Sequence, residues 1–192
     1  GVRSRCSDDL LWLPYVTSQY VEATGDRSIL DEPLAFLQAP PLAADEHDRY
    51  ARYLPGDQPY SLYEHCKRAL QHGNTRGSHG LPLIGSGDWN DGMDRLGREG
   101  RGESVWLGWF AVATMKGFAG LAERQACFDE QIYWIKAAQA LTRQINEVAW
   151  DGDWYLRALD DDGRPLGSHV DEECKIDSIS QSWAVLSGGH AN

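Results

Sequence analysis

A short segment in the middle of the chain carries three carboxylates at three-residue spacing beside a tryptophan. It reads Gly85-Ser86-Gly87-Asp88-Trp89-Asn90-Asp91-Gly92-Met93-Asp94. Glycine on both sides allows positive backbone φ angles and a close approach to a ligand. An indole offers a flat apolar face on which a sugar ring can stack. A carboxyl group held against such a ring and near other carboxylates keeps its proton to higher pH, as a general acid for glycosidic bond cleavage requires.

Aspartate and glycine are also common in solvated turns, so the segment alone leaves a purely structural loop open. The composition narrows the classes of protein to consider. The chain has 192 residues, of which 42% are hydrophobic and 24% charged, and this composition is typical of a globular domain. Its net charge of −11 argues against nucleic acid and anionic membrane surfaces as direct partners, whereas neutral carbohydrate carries no such objection.

Cysteine and histidine give no sign of a metal site. The four cysteines are widely spaced and form no CxxC pair, which favours reduced thiols in a cytoplasmic domain over a disulfide framework. The six histidines show neither an HExxH motif nor a His/Cys cluster. We therefore predict no metal ion and no cofactor.

Apolar periodicity predicts helices along most of the chain. The predicted helices cover residues 9–24, 31–37, 61–71, 103–123 and 128–150, with a further helix beginning at residue 178. Ser61 and Glu64 have the spacing of a capping box. The segments predicted as long loops are residues 43–60 and 73–102, and residues 154–167 are predicted to form a small hairpin.

Helices joined alternately by tight turns and long loops predict an all-α fold, an α/α toroid with its Gly/Asp/Trp-rich loops at one end. The chain opens with neither an initiator methionine nor the charged region of a signal peptide. We therefore expect residues 1–192 to be a single partial domain of a longer protein. Any membrane attachment, for example to the cytoplasmic side of a bacterial inner membrane, would come from other segments.

Five motifs resemble the glycoside hydrolase family 94 phosphorylases. Besides the central segment, they are residues 3–13 (RSRCSDDLLWL), 100–107 (GRGESVWL), 150–155 (WDGDWY) and 181–185 (QSWAV). They span nearly the whole chain, and the group within the family that they resemble most is the phosphorylase-like C-terminal domain of cyclic β-1,2-glucan synthases. The resemblance implies that the chain is the central part of an (α/α)6 barrel of about twice this length.

The resemblance also implies an activity and a site. Family members cleave β-glucosides with inorganic phosphate and invert the anomeric centre, and they release α-glucose 1-phosphate. Their single proton donor corresponds to Asp91. The residues assigned to substrate binding are Trp89, Asp88, Arg3, Arg5, Asp8 and Asp9. Trp89 would line the −1 sugar site, and which arginine and which of Asp8 and Asp9 contact the sugar hydroxyls stays open.

One acid suffices for phosphorolysis, because phosphate is already an anionic nucleophile, whereas an inverting hydrolase needs a second carboxyl group to activate water. The partners expected are a β-linked gluco-oligosaccharide, β-1,2-glucan in the first place, and phosphate, whose ligands we expect beyond Asn192. The domain would then trim glucan chains before cyclisation. Two alternatives remain, an inverting β-glucan hydrolase and a sugar-binding domain without turnover, and a homodimer also stays open.

Overall fold

The structure is a computed structural model of the chain, and it describes residues 1–43 and 45–189. Five α-helices and seven short strands form this part of the chain. The helices are α1 (Asp9–Thr24), α2 (Leu62–Gly73), α3 (Val105–Arg124), α4 (Phe128–Ala149) and α5 (Ser178–Leu186). The strands are β1 (Val2–Ser4), β2 (Pro33–Gln38), β3 (Asp48–Tyr50), β4 (Leu54–Ser61), β5 (Glu103–Ser104), β6 (Ala158–Leu159) and β7 (Pro165–Leu166).

Helix α3 forms the centre of the hydrophobic core. It packs against α1, α4 and α5, and side chains all round the helix are buried, among them Trp106, Trp109 and Phe110. Apolar residues nearly all round the segment 103–123 predict a helix buried between other helices, and the burial of α3 on every side confirms this prediction. By length and composition α3 could also cross a membrane, but 78% of its most apolar stretch is buried within the domain. A core helix meets the same criteria, so this feature identifies no membrane segment.

Helices α1, α3 and α5 lie in a row in which α3 packs against both of the others. Helices α2 and α4 each pack mainly on one helix of this row, α2 on α1 and α4 on α3. This arrangement agrees with a predominantly helical domain. The (α/α)6 barrel itself stays a prediction.

Local sequence signals set several helix ends as predicted. Gly25 ends α1 with a φ of 71°, and its N–H donates to the carbonyl oxygen of Val21. At the start of α2, the Ser61 hydroxyl accepts a hydrogen bond from the backbone N–H of Glu64. The predicted hairpin is confirmed, since β6 and β7 pair antiparallel and β5 joins them to make a three-stranded sheet.

The all-α prediction was wrong in one region. Residues 31–37 were predicted as a helix, but residues 33–38 form β2, which pairs antiparallel with β4 in the segment predicted as a loop. A second pair joins β1 and β3. The strand is held by tertiary contacts, because the Phe36 ring stacks on His65 of α2, and such contacts override a local helical pattern. Residue 44 of that predicted loop and residues 190–192 of the predicted domain lie outside the described residues.

Candidate active site

Asp88 anchors the motif segment, residues 85–94, which we call the acid loop. Its carboxylate is fully buried. Oδ1 accepts hydrogen bonds from the Arg157 guanidinium at 2.7 Å and from the Asn90 backbone N–H at 3.0 Å, and Oδ2 accepts one from the Ser104 hydroxyl at 2.7 Å. Asp88 therefore positions the acid loop. The predicted contact between Asp88 and substrate is corrected, because no part of this side chain is open to a ligand.

Arg157 connects the acid loop to α5. Its side chain is 2% exposed, and its Nε lies 3.3 Å from the carboxylate of Asp177. Asp177 in turn caps α5 by accepting the N–H of Ile179 at 3.0 Å. The Ser104 hydroxyl, which contacts Asp88 and Arg157, caps α3 in the same way. One buried charge cluster thus joins the starts of α3 and α5.

The start of α1 reaches the same cluster. The N–H of Ser7 donates to the Gly87 carbonyl oxygen at 3.0 Å, and the Cys6 thiol lies 3.6 Å from the Asp88 carbonyl oxygen. Burial and the nearby charges of Asp8, Asp9 and Asp91 raise the pKa of Cys6 to about 12. The structure therefore places the carboxylates of Asp8 and Asp9 within 4.8 Å of the Cys6 thiol, beside the buried Asp88.

Asp8 is the more buried of the two aspartates before α1, with 4% of its surface exposed. Its Oδ2 accepts a hydrogen bond from the indole N–H of Trp12 at 2.7 Å, whereas its buried Oδ1 has no partner among the described residues. Burial raises the pKa of Asp8 above its ordinary value. Because this acceptor is closed to solvent, the structure does not show a contact between Asp8 and a sugar hydroxyl, and that contact stays a prediction.

Asp9 and the two arginines are exposed. Asp9 accepts a hydrogen bond from the Ser4 hydroxyl. Arg3 and Arg5 both donate to backbone carbonyl oxygens of the segment 39–46. Neutral carbonyl partners leave both guanidinium charges available, so the structure does not decide between the two arginines.

These residues line an open groove of about 970 Å³. The groove is bounded by the segment before α1, by β2 and by α2, and it includes Asp94 of the acid loop. A cleft of this size is at the upper end of the range for ligand sites, and it is large enough for several sugar units.

Asp91 is exposed at the start of a short 3-10 turn, Asp91–Met93. The Asn90 side chain holds this turn by accepting the N–H of Gly92 at 3.0 Å. Trp89 is 60% exposed and lines a second, smaller cavity of about 320 Å³. The predicted shielding of Asp91 by an apolar ring is therefore not supplied by the described residues.

Comparison with known proteins shows the family to which the chain belongs. The family model described as the glycosyl hydrolase 94 superfamily, catalytic domain, matches residues 1–192. The chain belongs to the glycosyl hydrolase 94 superfamily.

Curated relatives show the same family over nearly the whole chain. It is 43% identical to cyclic beta-(1,2)-glucan synthase NdvB of Rhizobium meliloti (strain 1021), over 98% of the chain and 7% of that protein. It is 34% identical to solabiose phosphorylase of Paenibacillus borealis, over 95% of the chain and 22% of that protein. It is 29% identical to N,N'-diacetylchitobiose phosphorylase of Vibrio furnissii, over 98% of the chain and 21% of that protein. The chain thus spans between 7% and 22% of the length of these relatives.

Sequence reasoning missed two residues that build this candidate site. Arg157 lies within the predicted hairpin and was not singled out. A charged residue between the apolar neighbours Leu156 and Ala158 does, however, indicate a buried ion pair. Asp177 directly precedes α5 and has the position of a helix N-cap. Glu103, shortly before α3, is buried and accepts the N–H groups of His79 and Leu81. It therefore anchors a loop.

The family 94 site contains one group of three candidate metal ligands within the described residues. The Cys6 thiol and the carboxylates of Asp8 and Asp9 lie within 4.8 Å of one another. The predicted absence of a metal at this group stays a prediction.

Proposed function

We propose that this protein cleaves β-glucosides with inorganic phosphate and inverts the anomeric centre, releasing α-glucose 1-phosphate, with Asp91 as the proton donor. The observation that carries the proposal is that Asp91, an exposed acid, lies three residues after Asp88, a buried residue that anchors the loop. The anchor lies where α1, α3 and α5 begin, so three elements fix the backbone that presents the acid.

This geometry suits general acid catalysis. The Asp88 anchor fixes the backbone before Asp91 and the Asn90 side chain fixes the backbone after it, while the carboxyl group itself is open to a leaving glycosidic oxygen. A proton transferred from a positioned acid typically contributes about 10²–10⁴-fold to the rate. A bound sugar would supply the cover over Asp91 that the described residues do not. Phosphate brings its own negative charge, so this mechanism needs no second carboxylate to activate water.

We further propose β-1,2-linked glucan as the substrate and the trimming of glucan chains as the role. Support comes from the 43% identity to a protein named cyclic beta-(1,2)-glucan synthase. The names of two other relatives, solabiose phosphorylase and N,N'-diacetylchitobiose phosphorylase, support phosphorolysis. The four cysteines are all free thiols, which supports action in the reducing cytoplasm.

The test is phosphate dependence. The full-length protein is incubated with β-1,2-, β-1,3- and β-1,4-linked gluco-oligosaccharides, with and without phosphate, and glucose 1-phosphate and free glucose are assayed. We expect glucose 1-phosphate from the β-1,2-linked series only when phosphate is present. Equal release of sugar without phosphate would overturn phosphorolysis in favour of hydrolysis.

Asp91→Asn tests the acid itself. We expect cleavage to fall by about 10²-fold or more, because an amide cannot protonate the leaving oxygen, while calorimetry still detects oligosaccharide binding. Asp153→Asn is the matched control, since Asp153 is an exposed acid outside the acid loop. An Asp91→Asn variant that cleaves at the wild-type rate would contradict the assignment.

A further inference from the structure

Glu103 is a fully buried carboxylate that the proposed reaction does not use. Its Oε1 accepts the backbone N–H of Leu81 at 3.0 Å, and its Oε2 lies 2.5 Å from Nδ1 of the His79 ring. A Cβ at Gly77 would lie 2.5 Å from Oε1, so the backbone of residues 77–81 closes directly around the carboxylate. A carboxylate removed from water in this way destabilises the fold unless an opposite charge offsets it.

His79 is the residue that can supply this opposite charge. Within residues 1–43 and 45–189 it is the one side chain at ion-pair distance from Glu103, and 42% of that side chain is exposed. The ring can therefore exchange a proton with water while its Nδ1 stays on the buried carboxylate. A neutral imidazole can still donate through Nδ1–H, so the loss of the proton keeps the hydrogen bond and removes the charge.

Among the described residues, the elements packed around His79 bring no other charge to this pair. From α4, the neutral Gln144 amide donates to the His79 carbonyl oxygen at 2.9 Å. The turn between β6 and β7 lies against the ring, since a Cβ at Gly163 would lie 3.3 Å from its Cε1. Arg76 donates to the Thr75 carbonyl oxygen instead. The charged side chains of the turn bond to one another or to its backbone: Asp160, Asp162 and Arg164.

Glu103 also lies beside the groups that hold the acid loop. Residues 82–84 run antiparallel along residues 102–104, with two backbone hydrogen bonds of 2.9 Å, and the acid loop begins directly after this segment. Ser104, which follows Glu103, holds Asp88 through its hydroxyl at 2.7 Å. Two consecutive side chains thus fix the segment before the acid loop and the anchor within it.

We propose that His79 is a positioning residue for Asp91: its protonated ring is the counter-charge that keeps Glu103 ionised and in place, and Glu103 holds the segment from which the acid loop starts. His79 is outside the acid loop, so it acts on the reaction only through Glu103. The proposal rests on the proposed function for the identity of the acid. It adds a second dependence of the rate on pH, beside the protonation of Asp91 itself.

The experiment compares two histidine variants of the full-length protein. His79→Asn isolates the charge, because the asparagine amide can take the place of Nδ1–H as a neutral donor. His169→Asn is the matched control, since His169 also meets a carboxylate, that of Asp151, through its backbone N–H and its Nδ1, but lies outside the acid loop and its anchors. Thermal unfolding checks that both variants are folded. Phosphorolysis of a β-1,2-linked gluco-oligosaccharide is followed between about pH 5 and 8, where histidine commonly changes charge.

The quantity to follow is the ratio of kcat in the variant to kcat in the wild type at each pH, because the titration of Asp91 affects both proteins alike. We expect His79→Asn to lower kcat roughly three- to tenfold at the acid end, where the wild-type ring is charged, and the ratio to return towards one as the pH rises. The KM for the oligosaccharide should stay within about twofold, since the change displaces the acid rather than the sugar contacts. The ratio for His169→Asn should stay near one at every pH.

Hydrogen exchange follows the acid loop without the reaction. At the acid end of the range, the backbone amides of residues 81–94 should exchange about three- to tenfold faster in His79→Asn than in the wild type. The two proteins should converge as the pH rises, and His169→Asn should match the wild type throughout. Each comparison is made at one pH, so the intrinsic exchange rate cancels.

The outcomes separate this proposal from the proposed function. A kcat ratio for His79→Asn that does not change with pH, or that equals the ratio for His169→Asn, would overturn the positioning role and leave phosphorolysis standing. A wild type that forms no glucose 1-phosphate, together with a pH-dependent loss of protection in His79→Asn, would overturn phosphorolysis and support the hold of His79 on the acid loop. No glucose 1-phosphate and equal protection in all three proteins would overturn both.

Discussion

The glycine-rich stretch of residues 85–102 is held near its two ends by different kinds of anchor. Near its start, Asp88 is fully buried in an ion pair with Arg157. At its end, Asp161 accepts the backbone N–H groups of residues 99, 101 and 102 at 2.8–2.9 Å, near the surface. Both anchors are carboxylates, but the first depends on one opposite charge and the second on three neutral donors.

Because of this difference, the stretch is held more precisely near the proposed acid, Asp91, than at its other end. A buried ion pair has a fixed partner and no water to replace it, so the loss of either member leaves an uncompensated charge. Three N–H donors at the surface share one acceptor, and water can replace it in part. The start of the stretch, where Asp88 lies three residues from Asp91, is therefore fixed in one position. The end is tethered, that is, held less precisely by hydrogen bonds that water can replace.

The largest expected effect comes from breaking the buried anchor. Arg157→Met leaves the Asp88 carboxylate buried without its charge partner, and we expect a loss of about 3–5 kcal/mol in the free energy of unfolding. Urea unfolding of the full-length protein measures this loss. The double variant Arg157→Met with Asp88→Asn should regain part of it, because no charge then stays buried. A loss below about 1 kcal/mol in the single variant would contradict the comparison.

A matched pair of glycines sharpens the comparison between the two ends. Gly85 and Gly100 both have positive φ, at 61° and 81°, so alanine is strained at either position. A Cβ at Gly85 would lie 2.7 Å from the Arg5 carbonyl oxygen, whereas one at Gly100 would meet nothing within 4 Å. We expect Gly100→Ala to lower stability by about 1–2 kcal/mol and Gly85→Ala to lower it further.

Only Gly85→Ala should also lower kcat/KM, because the clash shifts the segment before α1 away from the acid loop. Urea unfolding and steady-state kinetics of both variants test the pair. Equal losses of stability, together with unchanged kcat/KM in both, would contradict a fixed start and a tethered end.

The smallest expected effect is at the surface anchor. Asp161→Asn keeps the acceptor oxygen but removes the charge, and we expect a loss of about 1 kcal/mol at pH 7. Asp162→Asn, an exposed neighbour in the same turn, is the control and should change stability by less than about 0.5 kcal/mol. An equal effect of the two substitutions would show that the three N–H bonds do not depend on charge.

The pH dependence of that effect has a definite sign. Burial raises the pKa of Asp161, but its hydrogen bonds from three backbone N–H groups outweigh burial and lower the pKa below the ordinary value of 3.8. Its stabilisation is therefore fully present above the unfolded pKa and is lost as the pH falls through the lower, folded pKa. The difference between wild type and Asp161→Asn should shrink in that acidic range, which urea unfolding at several pH values would detect.

Features encoded over a few residues were predicted well from the sequence. The end of α1 at Gly25, the cap at Ser61 and the burial of α3 each follow from local spacing, and the structure confirms them. The pairing of β2 with β4 was missed because the partner strand begins 16 residues after β2 ends. Pairing across such a distance leaves no local period in the sequence.

The candidate site divides in the same way. Asp91 and Trp89 were proposed as site residues from a contiguous motif, whereas the anchoring arginine lies 69 residues from Asp88 and has no motif of its own. The predicted shielding of Asp91 by an apolar ring was not found among the described residues, since two nearby side chains in an irregular loop have no fixed spatial relation. A contiguous motif can propose an acid, but the environment of that acid depends on distant residues.

The separation of Asp88 from Arg157 also has a consequence for synthesis of the protein. A ribosome adds roughly 5–20 residues per second, so the 69 residues between them take on the order of several seconds to make. During that interval α3 and α4 emerge while Asp88 still lacks its ionic partner. The ion pair that anchors the acid loop is therefore completed only when the hairpin after α4 arrives, and slow translation of that stretch would prolong the time in which the nascent loop is open to proteases and chaperones.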